Sequence, residues 1–239
     1  MKTDTMTARR PIAPGPLTLA SALASALAIL ALAACAPKSP PAKVPAASAA
    51  ARTATVVFVE GQVSIDGAAA EPGKELPTKF VVSTGPGARL DIVFDGRNAL
   101  NFWQNTVASV DLSAIVAAVR LDKGGIGSVL KNLSKLADKD SFELTTSHSV
   151  AGVRGTSFCV WADEASTYVC ACNGAVRTID AKGGNELLLE AAHHAARIYA
   201  PKEGKIVVSE AGMLHHTDEG IQSLASRIGY TIDWTKIDR

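Results

Sequence analysis

Between residues 54 and 212 the apolar positions fall in short runs and alternations, not in helical stripes. Residues 54–65 are β-branched and broken by Gly61, and the stretch from Asp66 to Pro77 is turn material. Residues 80–84 form a second apolar run. Ala88, Leu90, Ile92 and Phe94 then point one way, and Arg89, Asp91 and Asp95 the other, with Val93 the exception. A period of two with one polar face is the mark of a half-buried strand, which leaves Asp91 and Asp95 to solvent. Asp95-Gly96 signals a hairpin turn, and Leu100 and Phe102 resume the pattern.

Further along, residues 114–121 predict a strand and Asp122–Gly127 a turn. Residues 128–140 read as a short helix capped by Ser128, with Val129, Leu130, Leu133 and Leu136 on one face. Residues 141–146 return to strand alternation. The segment Glu186–Ala200 suits strand or helix by pattern alone. At the C-terminus Thr217 is placed as an N-cap, with Asp218 and Glu219 at the positive end of the helix dipole. Ile221, Leu224, Ala225 and Ile228 form the apolar stripe, Gly229 is the expected terminator, and Tyr230, Ile232 and Trp234 can pack back. The fold class expected is mainly β: a roll or sandwich of short antiparallel strands, one short helix inserted, and a small helical cap over residues 213–239.

The N-terminus changes the picture of where this body sits. Lys2, Arg9 and Arg10 precede an uncharged apolar stretch, residues 18–34, ending in Leu32-Ala33-Ala34-Cys35. Small residues before a cysteine at the end of such a run resemble a bacterial lipobox. That resemblance makes residues 1–34 a lipoprotein signal peptide and Cys35 the acylated first residue, anchoring the chain to a membrane. The competing reading is an N-terminal anchor helix with a chance cysteine. Residues 35–53, rich in Pro, Ala and Ser, read as a loose tether, and residues 54–212 as the β-domain. Ala36 after Cys35, in place of Asp, points to the periplasmic side of the outer membrane rather than the inner, by analogy with enteric lipoproteins. The whole chain carries a formal charge of +1. Without residues 1–34 the charge is about −1, so no basic nucleic-acid footprint is present.

The densest stretch is residues 149–174, with three cysteines. If residues 157–161 and 168–172 form a hairpin, Cys159 lies opposite Cys170, and Cys172, Trp161 and Tyr168 share their face. Phe158, Val160, Val169 and Ala171 take the other. In an oxidising compartment this suggests a Cys159–Cys170 or Cys159–Cys172 disulfide with one thiol spare, Cys170 being favoured because diagonal pairing to Cys172 is harder without a bulge. The alternative is a metal site. Cys170 and Cys172 with one histidine from each of the pairs His193-His194 and His215-His216, taken as His194 and His215, would make an S2N2 set for Zn or Cu. Haem and thiol-redox roles belong to the same alternative, although no Cys-x-x-Cys-His run is present. The leading expectation is that no cofactor is needed.

The pattern also resembles the FecR-type periplasmic domain family. The matching stretches are residues 59–67, 73–102, 121–126 and 142–160, with the return at 173–176. The strongest part is Val153-Arg154-Gly155-Thr156-Ser157-Phe158. The resemblance implies a FecR-like β-roll involved in envelope sensing or protein interaction, not catalysis. Family regulators carry a cytoplasmic N-terminal domain, which this chain lacks, so an interaction module is expected here rather than direct sigma-factor control. From the residues themselves, Gly155 permits a positive-φ turn and Thr156 can bond its hydroxyl to that turn; Arg154 could meet a ligand anion. No phosphate loop, His-Glu-x-x-His or Gly-x-Ser-x-Gly motif points to an enzyme. The partner expected is an envelope protein or glycan, reached through loops, an open edge strand, or Trp103 as part of a sugar-binding face.

Overall fold

The computed structural model describes residues 52–131, 142–153 and 155–238. These residues form sixteen strands and one helix. In chain order the strands are β1 (Ala54–Glu60), β2 (Val63–Ile65), β3 (Ala68–Ala69), β4 (Glu75–Leu76), β5 (Lys79–Thr84), β6 (Arg89–Phe94), β7 (Asn98–Phe102) and β8 (Val107–Asp111). They continue as β9 (Ala117–Leu130), β10 (Phe142–Thr145), β11 (Ser149–Val153), β12 (Ser157–Ala162), β13 (Thr167–Asp180), β14 (Leu187–Ala191), β15 (Ala195–Lys202) and β16 (Lys205–Ala211). The helix is α1 (Asp218–Ser226). The expected β-rich class with a C-terminal helical cap is what the chain adopts.

The strands make two layers that share two rails. One layer runs β4-β1-β6-β7-β9-β12-β13-β15-β16, using the second half of β9 and the first half of β13. The other runs β3-β2-β5-β8-β9-β10-β11-β13-β14, using the opposite halves. Both rails are 14 residues long. The ladder between β9 and β10 is parallel, an exception to the antiparallel pattern expected. The main core lies between the layers, with Val56, Leu90, Ile92, Phe94, Phe102, Phe142, Phe158 and Val160 fully buried. A second core covers the outer face of the first layer. There Ile221, Leu224 and Ala225 of α1, with Ile232, pack on Ala99, Val129 and the three cysteines. Each buried Leu or Ile contributes about 1.5–3 kcal/mol.

Three expectations are corrected. The glycine run at 124–127 is not a turn but the middle of β9. Gly124, at φ +88°, gives the backbone its bend between layers. Gly125 makes room for two indoles: a Cβ there would come within 2.6 Å of Trp161 Cζ3 and 2.7 Å of Trp103 Cε3. Gly125→Ala should therefore cost about 1–3 kcal/mol by overpacking and shift the tryptophan emission, read by urea unfolding followed by fluorescence. Secondly, Ser128, Val129 and Leu130, expected to open a helix, end β9, pairing with β7 and β12. Residues 132–140 of that expected helix lie outside the described residues. Thirdly, Asp91 is not solvated but fully buried. It accepts hydrogen bonds from Arg89 Nε (3.1 Å), Arg227 Nε (3.0 Å) and Asn101 Nδ2 (2.5 Å). Helix α1 brings Arg227 over the strand face that β6 alone would have left wet.

The ambiguous segment Glu186–Ala200 resolves into β14, a turn at 192–194, and β15. Thr217 caps α1 by accepting from Gly220 N, and Gly229 follows at φ +65°. Among the described residues no helix is long and apolar enough to cross a membrane.

Candidate functional site

The β12–β13 hairpin sets Cys159 opposite Cys170 and Trp161 opposite Tyr168. Strict alternation then sorts the faces as expected. Phe158, Val160, Val169 and Ala171 enter the main core, and Cys159, Tyr168, Cys170 and Cys172 the second. The register slips at the far end: Phe158 pairs with Ala171 and Ser157 with Asn173, leaving Cys172 as the extra residue of a bulge. The consequence is the diagonal contact, Cys172 Sγ to Cys159 Sγ at 3.5 Å. The expected Cys159–Cys170 disulfide is not formed; all three are buried free thiols. At 3.5 Å the Cys159–Cys172 sulfur pair is in van der Waals contact, well beyond an S–S bond of about 2.0 Å.

The segment after each histidine pair's strand folds back over these thiols. His194 sits in the turn between β14 and β15 at φ +54°, a left-handed conformation, and its N–H donates to Cys172 O at 3.0 Å. Its Nδ1 lies 3.4 Å from Cys170 Sγ. His216 Nε2 lies 3.5 Å from Cys172 Sγ and 3.3 Å from His194 Nδ1. One ligand atom from each of Cys170, Cys172, His194 and His216 falls within 4.8 Å of every other. His215, the partner expected from sequence, is turned away. At φ +63° it stacks on the Trp161 ring, 4.9 Å between centroids and 12° between planes, and its neighbour His216 takes the place assigned to it.

Sequence reasoning missed the groups that orient the imidazoles. Asp218, in the first turn of α1, accepts from His194 Nε2 at 2.6 Å and from His193 Nε2 at 2.8 Å. Leu214 O accepts from His216 Nδ1 at 2.6 Å. Trp234 lies over His194, with ring centroids 5.5 Å apart. Only the acidic first turn of α1 hinted at this from the sequence. Burial works to raise the Asp218 carboxyl, but hydrogen bonds from His194 and His193 outweigh it and hold it below the usual range. The Cys170 thiol is pushed up to about 12, first by its hydrogen bond with Cys172 and then by burial. Burial also drives Cys172 and Cys159 upward. Protonated, buried thiols are poor nucleophiles, which works against the thiol-redox reading.

Beside this cluster an open cleft of 520 Å³ is lined by Trp103, Trp161 and His215 with Glu60, Arg89 and Gln104. The two indoles are half-buried, with centroids 6.3 Å apart.

Gly155 and Thr156 of the Arg-Gly-Thr turn hold the backbone in place. Gly155 takes φ +57° as expected. Thr156 is fully buried and is no ligand contact; its hydroxyl donates to Asn173 O at 2.6 Å, across to β13 rather than into its own turn. Arg154 and Cys35 lie outside the described residues.

Residues 80–177, from β5 to β13, match the family model described as FecR protein, which is consistent with a FecR-type domain. That match is consistent with a regulatory or sensing module. No curated protein matches the chain. Among solved structures, two crystal structures of a candidate anti-sigma factor from Parabacteroides distasonis are similar at 15% identity. The TM-scores are 0.44 and 0.43, covering 55% and 54% of this chain. The match spans 60% and 59% of those chains' own length.

Proposed function

We propose that the chain is an envelope lipoprotein, moored through Cys35 and the tether of residues 35–53, whose FecR-type domain docks on an envelope component without catalysing a reaction. It would face the periplasm from the outer membrane. The observation that carries the docking role is the aromatic cleft. Trp103, and Trp161 with His215 stacked on it, make an aromatic wall for apolar C–H surfaces, while Glu60, Arg89 and Gln104 stand beside them as hydrogen-bonding groups. An aromatic floor with a polar rim suits a sugar ring better than an extended apolar peptide, so a glycan is favoured over a protein partner. The tether raises the effective concentration of the domain near the bilayer. The protein-partner reading draws on β16, which among the described residues pairs only with β15 and turns its other edge, beyond the Ile206 carbonyl held by Asn185, to strand addition.

The test is retention of the full-length protein, in detergent, on immobilised peptidoglycan fragments and lipopolysaccharide oligosaccharide. Specific retention with quenching of tryptophan emission is expected, and Trp161→Ala should weaken it about tenfold, the loss of one aromatic stack. Retention that is unchanged by Trp161→Ala and by Trp103→Ala would exclude the cleft. Loss of envelope-protein capture on placing proline at Glu210, whose backbone N–H points away from β15, with glycan binding absent, would favour the edge strand instead.

A further inference from the structure

The cysteine–histidine cluster has a geometry that docking through the neighbouring cleft does not use. Four soft or borderline donors converge inside a mostly apolar shell. A tetrahedral zinc site, with Zn–S about 2.3 Å and Zn–N about 2.05 Å, sets ligand separations of about 3.6 Å for S···N and about 3.3 Å for N···N. The chain holds Cys170 Sγ 3.4 Å from His194 Nδ1, Cys172 Sγ 3.5 Å from His216 Nε2, and the two ring nitrogens 3.3 Å apart. Two neutral imidazole nitrogens this close gain nothing from each other unless a cation or a shared proton lies between them.

The far side of each ring supplies an independent observation. His194 Nε2 is bonded to the Asp218 carboxylate and His216 Nδ1 to the Leu214 carbonyl, both at 2.6 Å. These acceptors hold the ring protons on the outer nitrogens and aim the lone pairs of the inner ones at the sulfurs. A carboxylate behind a histidine is the arrangement that orients metal-bound imidazoles. Backbone strain points the same way, since His194 is held at φ +54° where no glycine relieves it.

We propose that Cys170, Cys172, His194 and His216 bind one Zn2+ ion in a closed tetrahedral S2N2 site. On binding, the two thiols release two protons to solvent, and the two thiolates cancel the charge of the ion, so a neutral unit forms among buried groups. No oxidation state changes. Four protein ligands leave no position open for substrate, which makes the site structural or sensory, not catalytic. The ion would tie the loop before α1 to the bulge of β13 and the turn at 192–194, fastening the helical cap to the β body. Oxygen-seeking cations such as Mg2+ and Ca2+ are excluded by the donor set. Cys159, 3.5 Å from Cys172 Sγ, remains outside the set as a third sulfur.

The experiment uses the full-length protein in detergent, reduced and stripped of metal. Titration with Zn2+ against a chromogenic chelator should give one equivalent bound and a higher Tm. Co2+ in its place should show the intense visible bands of a tetrahedral ion and a near-ultraviolet thiolate-to-cobalt band. Cys172→Ser should abolish or halve that band, and His216→Ala, at a half-buried position that spares the core, should weaken Zn2+ binding at least about 100-fold. Asp218→Asn should weaken it about 10- to 100-fold through loss of orientation, while His215→Ala leaves it unchanged. Circular dichroism of each variant separates loss of ligand from loss of fold. The proposal is overturned by no bound metal, by a cobalt spectrum without the thiolate band, or by equal sensitivity to His215→Ala and His216→Ala. A Cys159–Cys172 disulfide in the protein isolated from the envelope, or Cu+ displacing Zn2+ into a three-sulfur site that includes Cys159, would also overturn it. Failure of metal binding leaves the glycan test untouched, because the cleft residues Trp103 and Trp161 are not ligands.

Discussion

Gly174→Ala is expected to destroy the fold, with a loss of at least about 4 kcal/mol in urea unfolding followed by circular dichroism. Two effects add. The residue sits at φ +117°, where a side chain strains the backbone. A Cβ there would also overlap the Thr156 hydroxyl and come within 2.7 Å of Thr156 Cβ. That hydroxyl cannot swing away without giving up its 2.6 Å bond to Asn173 O. The contact lies where β13 passes from one layer to the other, so no surface loop can absorb the shift. Thr156→Ala removes the hydrogen bond and one buried methyl but adds no overlap, and should cost about 1–2 kcal/mol. Combining Gly174→Ala with Thr156→Gly relieves the overlap but not the backbone strain, so it should recover part of the loss. A Gly174→Ala protein as stable as the parent would show that the bend does not depend on this position.

The second large effect is at Asp91. Asp91→Ala should lower stability by about 3 kcal/mol, toward the lower end of the range for breaking a buried ion pair, because Arg89 and Arg227 can turn partly to water. The side chain is wholly buried, whereas those of Arg89 and Arg227 keep 25% and 31% of their exposure. The guanidiniums also lie over the Phe58 ring, at 5.5 and 4.7 Å from its centroid. Arg227→Ala should cost less than Asp91→Ala, since Arg89 still satisfies the carboxylate. A double-mutant cycle of Asp91→Ala with Arg227→Ala should give a coupling of about 1–3 kcal/mol; independence of the two would contradict the pairing across α1.

These two positions also show where the sequence was legible. The β12–β13 hairpin was readable because register and face follow from counting: one pairing, Cys159 with Cys170, fixes the side chains from Phe158 to Ala171, up to the bulge at Cys172. The cap was readable because Thr217, the stripe from Ile221 to Ala225 and Gly229 are local signals. Asp91 was misjudged because its cover, Arg227, comes from 136 positions further along the chain, and no local period reports that. The glycines at 124–127 read as a turn because what they accommodate, the indoles of Trp103 and Trp161, arrives from other strands. Val129 and Leu130 fit helical spacing by chance, since two adjacent apolar residues suit either period. For the site, pairing the thiols with one histidine from each doublet came from chemistry. Which member of each doublet did not, because both doublets lie outside regular strands and their ring directions are set by Asp218, Leu214 and Trp161.

The two 14-residue rails have a mechanical consequence. Each is a single backbone stitched into both layers, so neither layer can slide or peel without tearing its own seam. Heating should meet one shared melting step for the whole β body, with the C-terminal flap the first piece to lift.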